Sequence, residues 1–229
     1  TAAFWYHAVE PSMAHTNSLL LVVAFTYLWY NTLGNRTKLQ WFLLGLLLGL
    51  IYLVRQQEVL LGLLPGFEIL KGLVQRISFD NVKKAAIGGA LLMIGTLVAI
   101  SPQMLVWKEM YGEYVVYTYA KTPEVVKYYP DYATFSTPDL MPFFFSREAG
   151  MWRVPFLFLS LIGLFMFAFR VRGVAWYFLA VALAQVLLTS AWAYESGGYG
   201  LRFLLGMSVF FTLGAAEIIK RLKIRFGTG

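Results

Sequence analysis

Seven apolar runs, each 16–19 residues long, dominate this sequence and constrain its fold more than any other feature. A bilayer's hydrocarbon core is about 30 Å thick and takes roughly 20 apolar residues per crossing helix, with a working range of about 17–25. On that ruler, spans are predicted near 12–30, 39–54, 59–74, 85–100, 154–169, 173–191 and 203–219. The second and third are short or broken, the third by Pro65-Gly66 and Glu68. The expected fold is all-α: one polytopic transmembrane helix bundle over residues 1–229, with about seven spans and one long outer loop, 102–153, carrying interfacial helices. Composition agrees. Apolar residues make up 59% of the 229 and charged residues 14%, against roughly 45–50% and about 25% in ordinary globular domains. A disordered chain, a secreted disulfide scaffold and a basic nucleic-acid module are thereby excluded. With no cysteine, thiolate metal sites and a cysteine nucleophile are excluded too. The chain begins at Thr1 inside an apolar-aromatic stretch, and a front portion is expected upstream of it.

The distribution of charge predicts the orientation. If Arg36 and Lys38 are cytoplasmic, alternation puts Lys71, Arg76, Lys83, Lys84, Arg170, Arg172, Lys220, Arg221, Lys223 and Arg225 on the same side. That side then holds twelve Lys/Arg against three acids (Glu68, Asp80, Glu217), and the other holds seven against nine. The asymmetry has the sign of the positive-inside rule. It predicts a multi-pass integral protein, in the plasma (inner) membrane, with a cytoplasmic C-terminus.

The 102–153 loop falls outside on this scheme. It carries Tyr111, Tyr114, Tyr117, Tyr119, Tyr128, Tyr129 and Tyr132, with Trp107 and Trp152 near its ends. Aromatic rings with a polar tip favour the headgroup region. They fit an interfacial belt, and they equally fit a platform for a sugar or a lipid headgroup.

Charged groups at membrane depth are costly and often mark function. Here the polar clusters fall on four outer segments: Glu10 to His15 at the start of the first span, Arg55-Gln56-Gln57-Glu58, Arg147-Glu148, and Glu195 with Gly197-Gly-Tyr-Gly200-Leu-Arg202. Arg55 and Arg202 are open to two uses, snorkelling at helix ends or gripping phosphate with a planar guanidinium fork. With only His7 and His15 in the chain, no histidine metal site is expected. Gly45-Leu-Leu-Leu-Gly49 has the spacing of a helix-packing seam. No P-loop, nucleophile elbow or Rossmann fingerprint is present, and the repeats expected of a secondary transporter are not evident.

In order along the chain, Glu10-Pro-Ser-Met-Ala-His15, Gly49-Leu-Ile-Tyr-Leu-Val-Arg55-Gln56, Pro102-Gln-Met-Leu-Val-Trp107-Lys-Glu-Met-Tyr111-Gly112, Phe145-Ser-Arg147-Glu148-Ala-Gly150 and Gly197-Gly-Tyr-Gly200-Leu-Arg202-Phe203 form a series. Covering most of the chain, the series resembles the multi-spanning glycosyltransferases of the GT-C superfamily, including protein O-mannosyltransferase-like and aminoarabinose-transferase-like enzymes. The resemblance implies transfer of a sugar from a polyprenyl-phosphate donor to an acceptor at the extracytoplasmic face. It implies substrate-binding roles for Arg55 and Arg202 at the donor phosphate and for Glu10 and His15 in lining the sugar or orienting neighbours. Gln56, Arg147 and Glu148 would join them as substrate-binding residues on the same outer face. Positive forks would stabilise the charge left on phosphate as the glycosidic bond breaks. An acidic residue would take the acceptor's proton; such enzymes carry it in their first outer loop, so the catalytic residue is expected upstream of Thr1. No cofactor and no metal are expected; the implied partners are the polyprenyl-phosphate sugar, membrane lipid and possible other membrane subunits, with no nucleic acid. Where many relatives read Arg-His-Gly, this chain has Glu148-Ala149-Gly150. The alternative is therefore a non-catalytic accessory or scaffold subunit of a larger membrane complex.

Overall fold

The computed structural model describes residues 15–75, 77–116, 137–146, 150–191 and 202–226. All regular structure among them is helical: α1 (His15–Asn31), α2 (Lys38–Val54), a 3-10 segment (Gln56–Gly62), α3 (Leu63–Gln75), α4 (Phe79–Tyr111), α5 (Leu140–Phe145), a 3-10 turn (Met151–Arg153), α6 (Pro155–Val171), α7 (Val174–Ser190), a 3-10 segment (Arg202–Met207) and α8 (Ser208–Phe226). The chain folds as two compact units, one of residues 17–118 and one combining 1–16 with 119–229.

Local chemistry sets several of the helix ends. Thr37 caps α2 in a reciprocal box: its hydroxyl accepts from Gln40 N at 3.2 Å and Gln40 Oε1 accepts from Thr37 N at 2.8 Å. Ser78 caps α4 by accepting from Asn81 N. Gly112, at φ 75°, closes α4 in the left-handed conformation that glycine adopts without strain. Two prolines behave differently from the expectation. Pro65 lies in the first turn of α3, where no backbone donor is required, so the predicted third span is a 3-10 segment followed by a helix rather than one interrupted helix. Pro102 does not end α4, which runs on to Tyr111 and takes up the first part of the predicted outer loop. The carbonyl that loses its donor to Pro102 is that of Val98, and the Ser101 hydroxyl donates to it at 3.0 Å.

In the first unit the principal contact is between α2 and α4. It is built on glycine. A Cβ placed on Gly45 would overlap the Leu92 carbonyl, and one on Gly95 would overlap that of Phe42. One on Gly49 would sit 2.6 Å from Thr96 O and from Ala99 Cβ, and one on Gly88 would sit 2.7 Å from the Trp41 ring. The contacts Trp41–Gly88, Gly45–Leu92 and Gly49–Thr96 advance together along both helices, so α2 and α4 run parallel. Thr96 Oγ1 donates across the seam to Gly45 O at 3.1 Å. Small residues let two backbones approach closely enough for dispersion and such polar contacts to hold them. Around the seam, Val22, Phe25 and Trp29 of α1 are buried with Leu44, Leu48, Ile51, Leu61 and Leu64.

The second unit repeats the device. In α6, Gly163 lies against the Gly214 carbonyl of α8, and Gly214 lies against Ser160 O and Leu164 N of α6. Ser160 pairs with Gly214 and Gly163 with Ile218, so these helices are also parallel, with α7 returning between them in sequence. Phe178 of α7 stacks on Phe210 of α8 at 5.0 Å, and Phe143 of α5 is fully buried. The start of α5 is tied to the end of α7 by Asp139 N donating to Ser190 O at 3.2 Å.

Among the described residues one helix, α4, is long and apolar enough to cross a membrane; α2, α6 and α7 are shorter apolar helices of 17 residues each. At about 1.5 Å per residue, the 33 residues of α4 reach about 50 Å. Only 11% of its most apolar stretch is buried. Outward-facing Met93, Ile94, Leu97 and Val98 make up much of the rest.

Candidate functional site

The parallel course of α2 and α4 gives the first unit two chemically distinct ends. Lys38 opens α2, and Lys83 and Lys84 lie in the first turns of α4. At the other end α2 stops at Arg55, whose extended backbone (φ −150°, ψ 102°) turns the chain into the Gln56–Gly62 segment.

That turn gathers a buried polar cluster. Arg55 and Glu58 are 6% and 0% exposed. Arg55 Nε lies 3.8 Å from Glu58 Oε1. With the Gln57 amide oriented so that its oxygen faces the guanidinium, that oxygen accepts from Arg55 Nε at 2.9 Å and from a terminal guanidinium nitrogen. Glu58 Oε2 accepts from the Ser18 hydroxyl of α1. Gln56 Nε2 donates to Val116 O at 3.2 Å, tying the turn to the chain beyond α4. Burial pushes the Glu58 carboxyl above the usual range, while the Arg55 charge and the Ser18 hydrogen bond oppose that shift. Glu58 Oε1 accepts no hydrogen bond among the described residues. A guanidinium and a carboxylate therefore sit side by side where the apolar helices end, and one carboxylate oxygen keeps accepting capacity for a hydroxyl.

Two further ion clusters are structural in form. At the basic end of the first unit, Arg36 Nη1 meets Glu68 Oε2 at 2.6 Å. Its other nitrogens donate to Thr32 Oγ1 and Trp29 O at 2.8 and 2.9 Å, and the guanidinium lies 4.4 Å over the Trp41 ring. In the second unit Glu217 of α8, 3% exposed, accepts from Arg170 of α6 and Arg221 of α8.

Of the residues singled out from sequence, Arg55 and Gln56 are brought together at the α2 turn. His15 is the first residue of α1, and Arg202 opens the Arg202–Met207 segment; both belong to the unit that combines 1–16 with 119–229. Glu10, Arg147 and Glu148 lie outside the described residues. Sequence reasoning placed Glu58 in this polar turn without pairing it to Arg55, and it missed Ser18. The available signals were the Arg55-x-x-Glu58 spacing, which suits an ion pair within a helical turn, and a serine inside an apolar run. No group of three or more His, Asp or Glu that could hold a metal ion occurs among the described residues. The chain matches no family model, no curated protein and no solved structure.

Proposed function

We propose that this chain is a multi-pass integral membrane protein of about seven spans that moves a sugar from a polyprenyl-phosphate donor to an acceptor at the extracytoplasmic face of the plasma (inner) membrane. The order of the polar motifs motivates the chemistry. The structural observation that supports it is the Arg55–Glu58 cluster, held at the end of α2 opposite to Lys38, Lys83 and Lys84. On the positive-inside rule those lysines are cytoplasmic, so Arg55 lies at the outer face, where a polyprenyl donor keeps its phosphate. Exposed apolar rows on α4 (Met93, Ile94, Leu97) and α6 (Phe156, Leu159, Ile162) suit contact with lipid rather than water.

Topology is tested first. Single cysteines at Tyr114 and Lys223, in a chain with no cysteine of its own, should react with an impermeant maleimide from opposite sides of the membrane. Labelling of both from one side overturns the span count.

Chemistry is tested at Arg202. Lysine there keeps the charge and loses the two-pronged grip on phosphate. Loss of one charge-assisted hydrogen bond is worth about 1.5–3 kcal/mol, so sugar transfer should slow by about ten- to a hundredfold while the melting temperature stays put. The readout is transfer of labelled sugar from a polyprenyl-phosphate donor by the full-length protein, wild type beside Arg202→Lys. One observation favours the second reading, an accessory subunit: the Arg55 guanidinium already faces Glu58 and Gln57. Absence of transfer by an intact wild type, across several sugars and acceptors, decides for it.

A further inference from the structure

Glu217 draws two arginines from different helices onto one carboxylate. Arg170 Nε donates to both its oxygens at 3.0 and 2.8 Å, Arg170 Nη2 approaches Oε2 at 2.7 Å, and Arg221 Nε donates to Oε1 at 2.8 Å. The carboxylate is buried, at 1% side-chain exposure, but the arginine side chains remain 42% and 47% exposed. The pair is thus positioned from within and left with open guanidinium edges, and one negative charge cannot neutralise two positive ones. Three more cations stand at the same end of the second unit: Arg172 just after α6, and Lys220 and Lys223 on the last turns of α8, all exposed. Glu217 is the only acid described on α6, α7 or α8. Beside this basic face the surface is apolar. Phe169 and Trp176 are exposed and meet edge to face at 4.9 Å, and Ile219 and Leu222 of α8 are each about half exposed.

We propose that this end of the α6–α8 pair is a binding surface for the phosphate of an anionic phospholipid, with Arg170 and Arg221 as the fork and Phe169, Trp176 and Ile219 against its acyl chains. Charge complementarity identifies the occupant. A zwitterionic lipid does not relieve a cluster of five cations and one acid, and a soluble phosphate leaves the adjoining aromatic and aliphatic surface uncovered. The proposal shares with the proposed function only the membrane setting. It requires no sugar transfer, so an inactive protein that binds the lipid would sink the transferase and leave this site standing.

The full chain, purified in an uncharged detergent, is titrated with phosphatidylglycerol, with phosphatidylcholine and with inorganic phosphate, and bound lipid is read by native mass spectrometry. Phosphatidylglycerol should be retained in preference to phosphatidylcholine, and equimolar inorganic phosphate should not displace it. Each cation near an anionic surface contributes a factor of about five, so Arg170→Gln with Arg221→Gln should weaken retention by roughly thirtyfold. Because that double change also strips Glu217 of its partners, Lys220→Gln with Lys223→Gln is the companion variant. Those lysines make no ion pair among the described residues, so their loss should weaken retention comparably while leaving the melting temperature intact. Equal retention of the two lipids by the wild type overturns the proposal, as does unchanged phosphatidylglycerol affinity in the lysine variant. Displacement of the lipid by equimolar phosphate overturns it in favour of a free-phosphate site.

Discussion

Replacing Gly45 with leucine is expected to destabilise the first unit by about 3 kcal/mol or more, the largest effect of any single glycine change between α2 and α4. A Cβ at this position overlaps the Leu92 carbonyl, with Leu92 C at 2.9 Å and Gly95 Cα at 3.0 Å. Overpacking of a core ordinarily costs about 1–3 kcal/mol because side chains shift to other rotamers. Here the obstruction is backbone, which cannot rotate aside, so the helices must move apart. Separation also breaks the Thr96 to Gly45 hydrogen bond and opens the contacts at Gly49 and Gly88 further along the seam. Gly72 is the control: it lies in α3, and a Cβ there meets nothing within 4 Å. Thermal unfolding in detergent should show Gly45→Leu melting well below wild type and Gly72→Leu close to it. Equal melting of the two variants would mean that the parallel α2–α4 seam does not hold the unit together.

The contrast between those two glycines shows what the sequence makes legible. Helices were readable from the apolar runs, and the ends of α2 and α6 fall within two residues of expectation (38–54 against 39–54, 155–171 against 154–169). Which face of a helix turns inward was not. Runs such as Leu19 to Val23 of α1 and Phe178 to Ala184 of α7 are apolar on every side, so no polar stripe marks the outer face. In α1 the buried row Ser18, Val22, Phe25 and Trp29 is separated from exposed Leu20, Val23, Tyr27 and Tyr30 only by tertiary packing. The Gly45–Gly49 spacing hinted at a seam, yet its partner surface of Gly88, Gly95, Thr96 and Ala99 becomes visible only once the two helices are known to run parallel. The end of α4 was misjudged because Pro102 usually stops a helix, and the rescue by Ser101 depends on a side-chain rotamer. At the candidate site Arg55 was legible as a charge at the end of an apolar run. Its partner Glu58 reads from sequence as one more polar turn residue, and only folding closes Ser18 over it.

Removing the carboxylate from Glu68 should cost the first unit about 3–5 kcal/mol, the range found when one partner of a buried ion pair is deleted. The Arg36 side chain is 1% exposed, and Glu68 is 18% exposed. In Glu68→Ala the guanidinium keeps its bonds to Thr32 Oγ1 and Trp29 O but loses the only carboxylate paired with it among the described residues. The stacked Trp41 ring, 4.4 Å away, offsets part of that loss, and a cation over an aromatic face is worth about 0.5–2 kcal/mol. Glu217 provides the internal comparison. Its partners Arg170 and Arg221 are each more than two-fifths exposed, so Glu217→Ala leaves them able to hydrate, and the cost should stay nearer 1 kcal/mol per pair. The two variants therefore separate a pair that needs its counter-charge from one that organises an open surface. Replacing Arg36 and Glu68 together, Arg36→Met with Glu68→Leu, should recover most of the stability lost in Glu68→Ala, because no buried ion is then left without its partner. Chemical denaturation of the three variants beside wild type measures this directly. A Glu68→Ala loss no greater than that of Glu217→Ala would mean that Arg36 finds solvent or another anion, and that its burial in the first unit does not depend on Glu68.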